Sequence, residues 1–121
     1  MAELLRAELG ASAAAEASGD MATAWRALER AHILSQAFAV AHTGVHWSMF
    51  RFAFRRRDVR EMLGQLPRLL LAAPGSLLGR APLGNTGGAN VGIFDPMPIP
   101  EDLREKLESA AASTTRRDVA R

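Results

Sequence analysis

The stretch Glu29-Arg30-Ala31-His32-Ile33-Leu34-Ser35-Gln36-Ala37-Phe38-Ala39-Val40-Ala41-His42-Thr43-Gly44-Val45-His46 decides how this chain is read. It holds all three histidines of the 121 residues, and the chain has no cysteine. No glycine or proline marks a turn in its middle, so the reversal has to be located from the periodicity on either side. Upstream, Ala24, Trp25, Leu28, Ala31 and His32 form one stripe at the i, i+3/i+4 spacing of a core-facing helix. Downstream, Val45, Trp47, Met49, Phe50, Ala53 and Phe54 give a wide apolar surface to a helix running roughly from Val40 to Arg56. The turn between them falls at Ser35-Gln36-Ala37. An antiparallel hairpin closed near Ala37 sets His32 level with His42, and Glu29 level with His46 about one helical turn deeper.

That register turns a cluster in sequence into a candidate site. His42 and His46 share a face by i, i+4 spacing, and Glu29 and His32 share one by i, i+3. Imidazole and carboxylate donors of this kind suit a divalent transition metal, namely zinc, iron, nickel or copper. Glu29, His32, His42 and His46 are therefore the candidate metal ligands, with Gln36 as an outer partner. The Glu-x-x-His spacing is half of a di-iron carboxylate pattern. The other half would have to come from Glu3, Glu8 and Glu16, so a mononuclear site is the more economical expectation. Two other readings stand beside it. The histidines form a structural polar network, with Glu29 paired to Arg26 or Arg30, or they act as acid and base in a small enzyme. Ser35 and Ser48 lie near the histidines, but nothing resembles a nucleophile elbow.

Working outward, Ala2 to about Ala17 carries Leu4, Leu5, Leu9 and Ala13 at helical spacing, and Ser18-Gly19-Asp20 breaks it. Asp20 is an N-cap for the helix that leads to His32. Asp58, with Glu61 three residues on, has the capping-box pattern and starts a fourth helix. Pro67 interrupts that helix, as a kink or as the start of a new one. Gly19-Asp20 before Trp25 and Leu28 is echoed by Arg57-Asp58 before Leu63 and Leu66, a spacing of 38 residues (58 − 20). Such a period fits two stacked helix-hairpin units, as in a tetratricopeptide-like array.

From Pro74 to Pro100 the composition changes. Gly79-Arg80-Ala81-Pro82-Leu83-Gly84-Asn85-Thr86-Gly87-Gly88-Ala89-Asn90 is too glycine-rich for regular structure. It reads as an arm wrapping the body, anchored by Phe94, Met97 and Ile99. Its glycines could present N–H groups to an anion, but the Gly-Lys-Ser/Thr ending of a P-loop is missing. Pro100-Glu101-Asp102 opens a last helix that ends near Ala112. The expectation is an all-α protein of four to five helices in stacked antiparallel hairpins, a single domain over 1–121. Its parts are a helical body (1–73), an irregular arm (74–100), a terminal helix (101–112) and a frayed tail (113–121).

Composition narrows the function classes. The 15 basic and 13 acidic residues leave a net charge of +2. The sequence pI of about 10.4 reflects that 14 of the basic residues are arginine, whose charge persists to high pH. Arg51, Arg55, Arg56, Arg57 and Arg60 form the densest run, but Asp58 and Glu61 lie within it. A solvated or salt-bridged face is expected there rather than a nucleic-acid site. The longest apolar run, near Leu69 to Leu78, is broken by Pro74 and Gly75 and is too short for a bilayer. The first residues, Met1-Ala2-Glu3-Leu4-Leu5-Arg6, do not read as a signal peptide. The expected setting is the cytoplasm, without a membrane partner. Phe50, Phe52 and Phe54 alternate within a helix and cannot all face inward, so one is left for a partner subunit or another protein.

Several of these segments together resemble a bacterial family of small helical proteins of unknown function. The matching features are Leu28-Glu29-Arg30-Ala31-His32-Ile33-Leu34-Ser35-Gln36, His42 with His46-Trp47, the Gly79-to-Gly87 stretch, and Pro96-Met97-Pro98-Ile99-Pro100. The resemblance covers roughly residues 19 to 105. It implies no catalytic residue, because the family has no characterised activity.

Overall fold

Five helices and no strand make up residues 1–120, the part of the chain that the computed structural model describes. They are α1 (Ala2–Ala17), α2 (Met21–Ser35), α3 (Ala39–Arg55), α4 (Val59–Leu77) and α5 (Glu101–Val119). The first three connections, 18–20, 36–38 and 56–58, are short enough to force each helix back along its predecessor. Contacts run in chain order, α1 on α2, α2 on α3 and α3 on α4.

Two of these reversals use the same chemistry. At α2 the Thr23 N–H donates to Asp20 Oδ1 at 3.1 Å, and at α4 the Glu61 N–H donates to Asp58 Oδ1 at 3.1 Å. Each aspartate follows a residue with positive φ, Gly19 at 84° and Arg57 at 55°, which ends the preceding helix in the left-handed region. The 38-residue echo in the sequence is thus a repeated helix–helix joint. The capping box at α4 is only half formed. Instead of returning to Asp58, the Glu61 carboxylate accepts from the Ala89 N–H at 2.9 Å and from Gln65 Nε2 at 2.8 Å.

The reversal between α2 and α3 falls at Gln36 and Ala37. Phe38 is the N-cap of α3 but offers no side-chain acceptor. Backbone bonds hold the turn instead, Phe38 N–H to the Ser35 carbonyl and His42 N–H to the Phe38 carbonyl, both at 2.8 Å.

The main core lies between α1, α2 and α3 and consists of Ala15, Ala24, Leu28, Ala31, Val45, Met49 and Phe52. Trp25 packs on Phe52 with ring centroids 5.7 Å apart. Small residues bring α1 close to α2, where the buried Ser12 hydroxyl donates to the Ala24 carbonyl at 2.9 Å. A second cluster of Ile33, Leu34 and Leu103 docks the start of α5 beside the end of α2. Arg30 ties that junction to α1 by reaching both Glu8 and Asp102. Arg55 of the basic run pairs with Glu16 at 2.6 Å, in line with a salt-bridged face.

Two expected boundaries move. α4 passes through Pro67 and Pro74 and ends at Leu77, so the irregular arm begins at 78 rather than 74. Each internal proline forfeits a helix bond and costs about 3 kcal/mol. Packing offsets this, since Gln65, Arg68 and Ala72 are buried and Arg68 Nη1 donates to the Gly64 carbonyl at 2.7 Å. At the other end, α5 continues to Val119 where a frayed tail was expected from Ser113. The Ser113, Thr114 and Thr115 hydroxyls bond back to carbonyls one turn earlier. Arg121 lies outside the described residues. No helix among the described residues is long and apolar enough to cross a membrane.

Candidate metal centre

His32 on α2 and His42 and His46 on α3 meet at one point. Their Nε2 atoms form a nearly equilateral triangle, with edges of 2.9 Å (His32–His42), 3.0 Å (His32–His46) and 3.1 Å (His42–His46). The three rings lie 4.5–4.9 Å apart, centroid to centroid, and all three residues are buried. The i, i+4 pair on α3 places two imidazoles one turn apart, and His32 enters between them from the facing helix.

The outer nitrogen of each ring has its own acceptor, and these acceptors fix the tautomers. His32 Nδ1 lies 2.6 Å from the Asn85 carbonyl, which can only accept, so this nitrogen carries the proton. His46 Nδ1 lies 2.7 Å from Gln65 Oε1. The Gln65 amide is oriented by donation from its Nε2 to Glu61 and to the Gly87 carbonyl, which leaves Oε1 as acceptor. His42 Nδ1 lies 2.8 Å from Ser76 Oγ, whose single proton is already given to the Gln36 carbonyl at 2.6 Å. All three Nδ1 atoms are therefore donors. In neutral imidazole the matching Nε2 atoms are bare lone pairs, so the short Nε2–Nε2 approaches are not hydrogen bonds. Three lone pairs face each other, an arrangement that could hold a metal ion.

A proton binds there poorly. Burial pushes His32 down to about 2, aided by the charges that His46 and His42 would carry. Burial likewise brings His46 down to about 4, against the opposing hydrogen bond to Gln65. His42 is lowered by the same cause, opposed by the Ala72 carbonyl. A metal ion fits better. With metal–nitrogen bonds of about 2.0–2.1 Å, edges near 3 Å subtend nitrogen–metal–nitrogen angles of roughly 90–100°. Three such donors would leave coordination positions on a bound ion for other ligands.

The three histidines line a cavity of about 40 Å³ together with Arg68, Leu71, Ala72, Pro82, Ile93 and Phe94 among others. The arm forms one wall. Gly87, with φ of 83°, lies so close that an added Cβ would sit 2.7 Å from the His32 ring. The Asn85 side chain pins the loop on itself by donating to the Gly92 and Asp95 carbonyls at 2.8 and 2.7 Å.

Glu29 does not join the histidines. Among the described residues, the group able to hold an ion is His32, His42 and His46 alone. Glu29 lines a different cavity with Trp25, Phe52, Asp58 and Glu61, where burial raises its pKa against a hydrogen bond from Trp25. The expected two-level pairing becomes one level, because His32 fits between His42 and His46 rather than opposite His42 alone. Gln36 also acts differently from expectation. Its side chain anchors the arm, donating to the Pro82 carbonyl at 2.5 Å and accepting from the Gly84 N–H at 3.1 Å. It reaches the histidines only through its carbonyl and Ser76. Gln65, Ser76 and Asn85 were not anticipated, and their only signal in the sequence is that of polar residues on segments expected to be apolar or irregular.

Fold and site together define a small all-helical protein built around three buried, convergent imidazoles. The chain belongs to the family DUF3703, described as a protein of unknown function, whose model matches residues 1–107. An uncharacterised family is what the sequence resemblance implied, and the matched span contains every residue of the site. No curated protein and no solved structure matches the chain.

Proposed function

We propose that this chain is a cytoplasmic metal-binding protein that holds one divalent transition ion, zinc, iron, nickel or copper, through His32, His42 and His46. One observation carries the proposal. All three Nδ1 atoms are committed as donors to Asn85, Ser76 and Gln65, which leaves three Nε2 lone pairs converging within 3.1 Å. A purely structural network would be expected to place a donor between those atoms. Outer partners of this kind orient metal-bound histidines and fix their tautomers.

Elemental analysis of protein purified without a histidine tag tests this. Near-stoichiometric metal is expected, and its loss in His42→Ala and His46→Ala, with helical content retained by circular dichroism. A wild-type chain that takes up no metal after reloading, together with variants that unfold, would return the histidines to a structural role.

A second reading rests on the outer surface. Val40, Trp47 and Phe54 recur at seven-residue intervals on α3 and are exposed, and Trp47 stacks on Phe50 at 12°. Val59, Leu63, Leu66 and Leu70 form a similar exposed row on α4. Such seams suit helix–helix association. They support a homo-oligomer or a protein partner, with the repeated helix–helix joint as a tetratricopeptide-like element. Light scattering after size exclusion tests it, and a monomer at high concentration would oppose self-association.

A further inference from the structure

The three histidines are neutral donors, and this determines what else the site must take. A divalent ion held by them keeps its full double charge. No aspartate or glutamate lines the cavity at the histidines, which instead contains Arg68 and Arg80 among apolar walls. The carboxylate linked to the triad through Gln65, Glu61, is committed to the Ala89 N–H and to Gln65, and it faces the Arg68 charge. Glu29 lies in the other cavity. A buried charge without a counter-charge is costly, and none of the residues lining this cavity carries a negative charge to offset it.

We infer that the centre binds a small exogenous anion directly on the metal, in the cavity between Arg68, Leu71, Ile93 and Phe94. This rests on the metal-binding reading above. The cavity volume of about 40 Å³ sets the size. At about 10–15 Å³ per water-sized occupant, it holds roughly three such atoms. That suits a triatomic or similar monoanion such as azide, nitrite or formate, and is too small for an aromatic carboxylate. Arg68 is buried and fixed, with Nη2 donating to the Val91 carbonyl at 2.6 Å and Nη1 to Gly64. Its charge faces the triad, since it lines the same cavity as His32, His42 and His46. Arg80 is exposed at the rim and draws anions toward the opening.

Cobalt(II)-loaded protein titrated with azide and followed by its visible absorption tests this. A saturable one-to-one spectral change is expected, with benzoate binding at least about tenfold more weakly. Arg68→Gln should weaken azide binding by about five- to tenfold, and Arg80→Gln by less. Arg116→Gln, the same charge change on α5, should leave it unaltered. If Arg68→Gln fails to fold, Arg80→Gln decides. Stoichiometric cobalt with no azide response would overturn the anion site while leaving the metal reading intact. So would azide affinity unchanged in the arginine variants, as regards their role. Failure to bind cobalt at all would overturn both readings.

Discussion

The helices and the arm both close on the same three imidazoles, but by opposite means. α2 and α3 supply side chains, placed by helical period, whereas the arm supplies main chain: the Asn85 carbonyl on His32 and the Gly87 carbonyl on Gln65. The helical hairpin can bring ligands together, yet it cannot say which ring nitrogen points inward. The arm, through Asn85, and α4, through Gln65 and Ser76, settle that by accepting the Nδ1 protons. Convergence comes from α2 and α3, whereas the tautomers are set from outside that hairpin, by main chain of the arm for His32 and by side chains of α4 for His42 and His46.

Acid should break the helical half first and most severely. His32 and His46 sit near 2 and 4 in the folded chain against an ordinary 6.5, so between those values the unfolded chain binds more protons. Stability is then fully present above about pH 6.5 and falls as pH drops toward the folded values. In metal-free protein at pH 5, each of the two costs about 2 kcal/mol, from roughly 1.5 pH units at 1.36 kcal/mol per unit. Urea unfolding of metal-free protein at pH 7.5 and 5 measures this, and equal midpoints would contradict the buried neutral triad.

The arm half breaks at Gly87. An alanine there must adopt a φ of 83° and place its Cβ 2.7 Å from the His32 ring, so ring and loop cannot both stay in place. A loss of about 2–3 kcal/mol is expected, together with faster proteolysis between α4 and α5. Retained stability with unchanged metal affinity would show that the arm is not seated on His32. Gly84→Ala offers a parallel case away from the histidines, because its Cβ would overlap the Met97 carbonyl.

The same division explains what could be read from the sequence. His32, His42 and His46 were legible because period and turn position suffice to bring them together, and the turn falls at Gln36 and Ala37 as expected. Glu29 was misplaced because the register was off by about half a turn. His32 sits between its two partners on α3, and the glutamate then rotates toward Trp25 and Glu61. Ser76 was hidden by the assumption that Pro74 and Gly75 end α4, whereas one more turn carries its hydroxyl to His42. Asn85 was illegible for a deeper reason. It serves His32 through its backbone carbonyl, a group every residue possesses, so side-chain identity could not single it out.

The smallest effects should come from α4, where side chains do what the arm does with main chain, and there the two can be ranked. Gln65 is buried and holds His46, Glu61 and the Gly87 carbonyl at once. Its removal leaves an Nδ1 proton without a partner and loosens the arm as well. Gln65→Ala should lower metal affinity by about 10- to 100-fold, the usual range for an outer partner of a metal-bound histidine. Ser76→Ala removes one acceptor from His42, but the Ala72 carbonyl lies within reach of the same ring and can take over the proton. A loss of less than about tenfold is expected, roughly one hydrogen bond. Competition titration with a chromogenic chelator measures both. If Ser76→Ala proved as damaging as Gln65→Ala, the Ala72 carbonyl would not be substituting, and His42 would depend on a single hydroxyl to hold its tautomer.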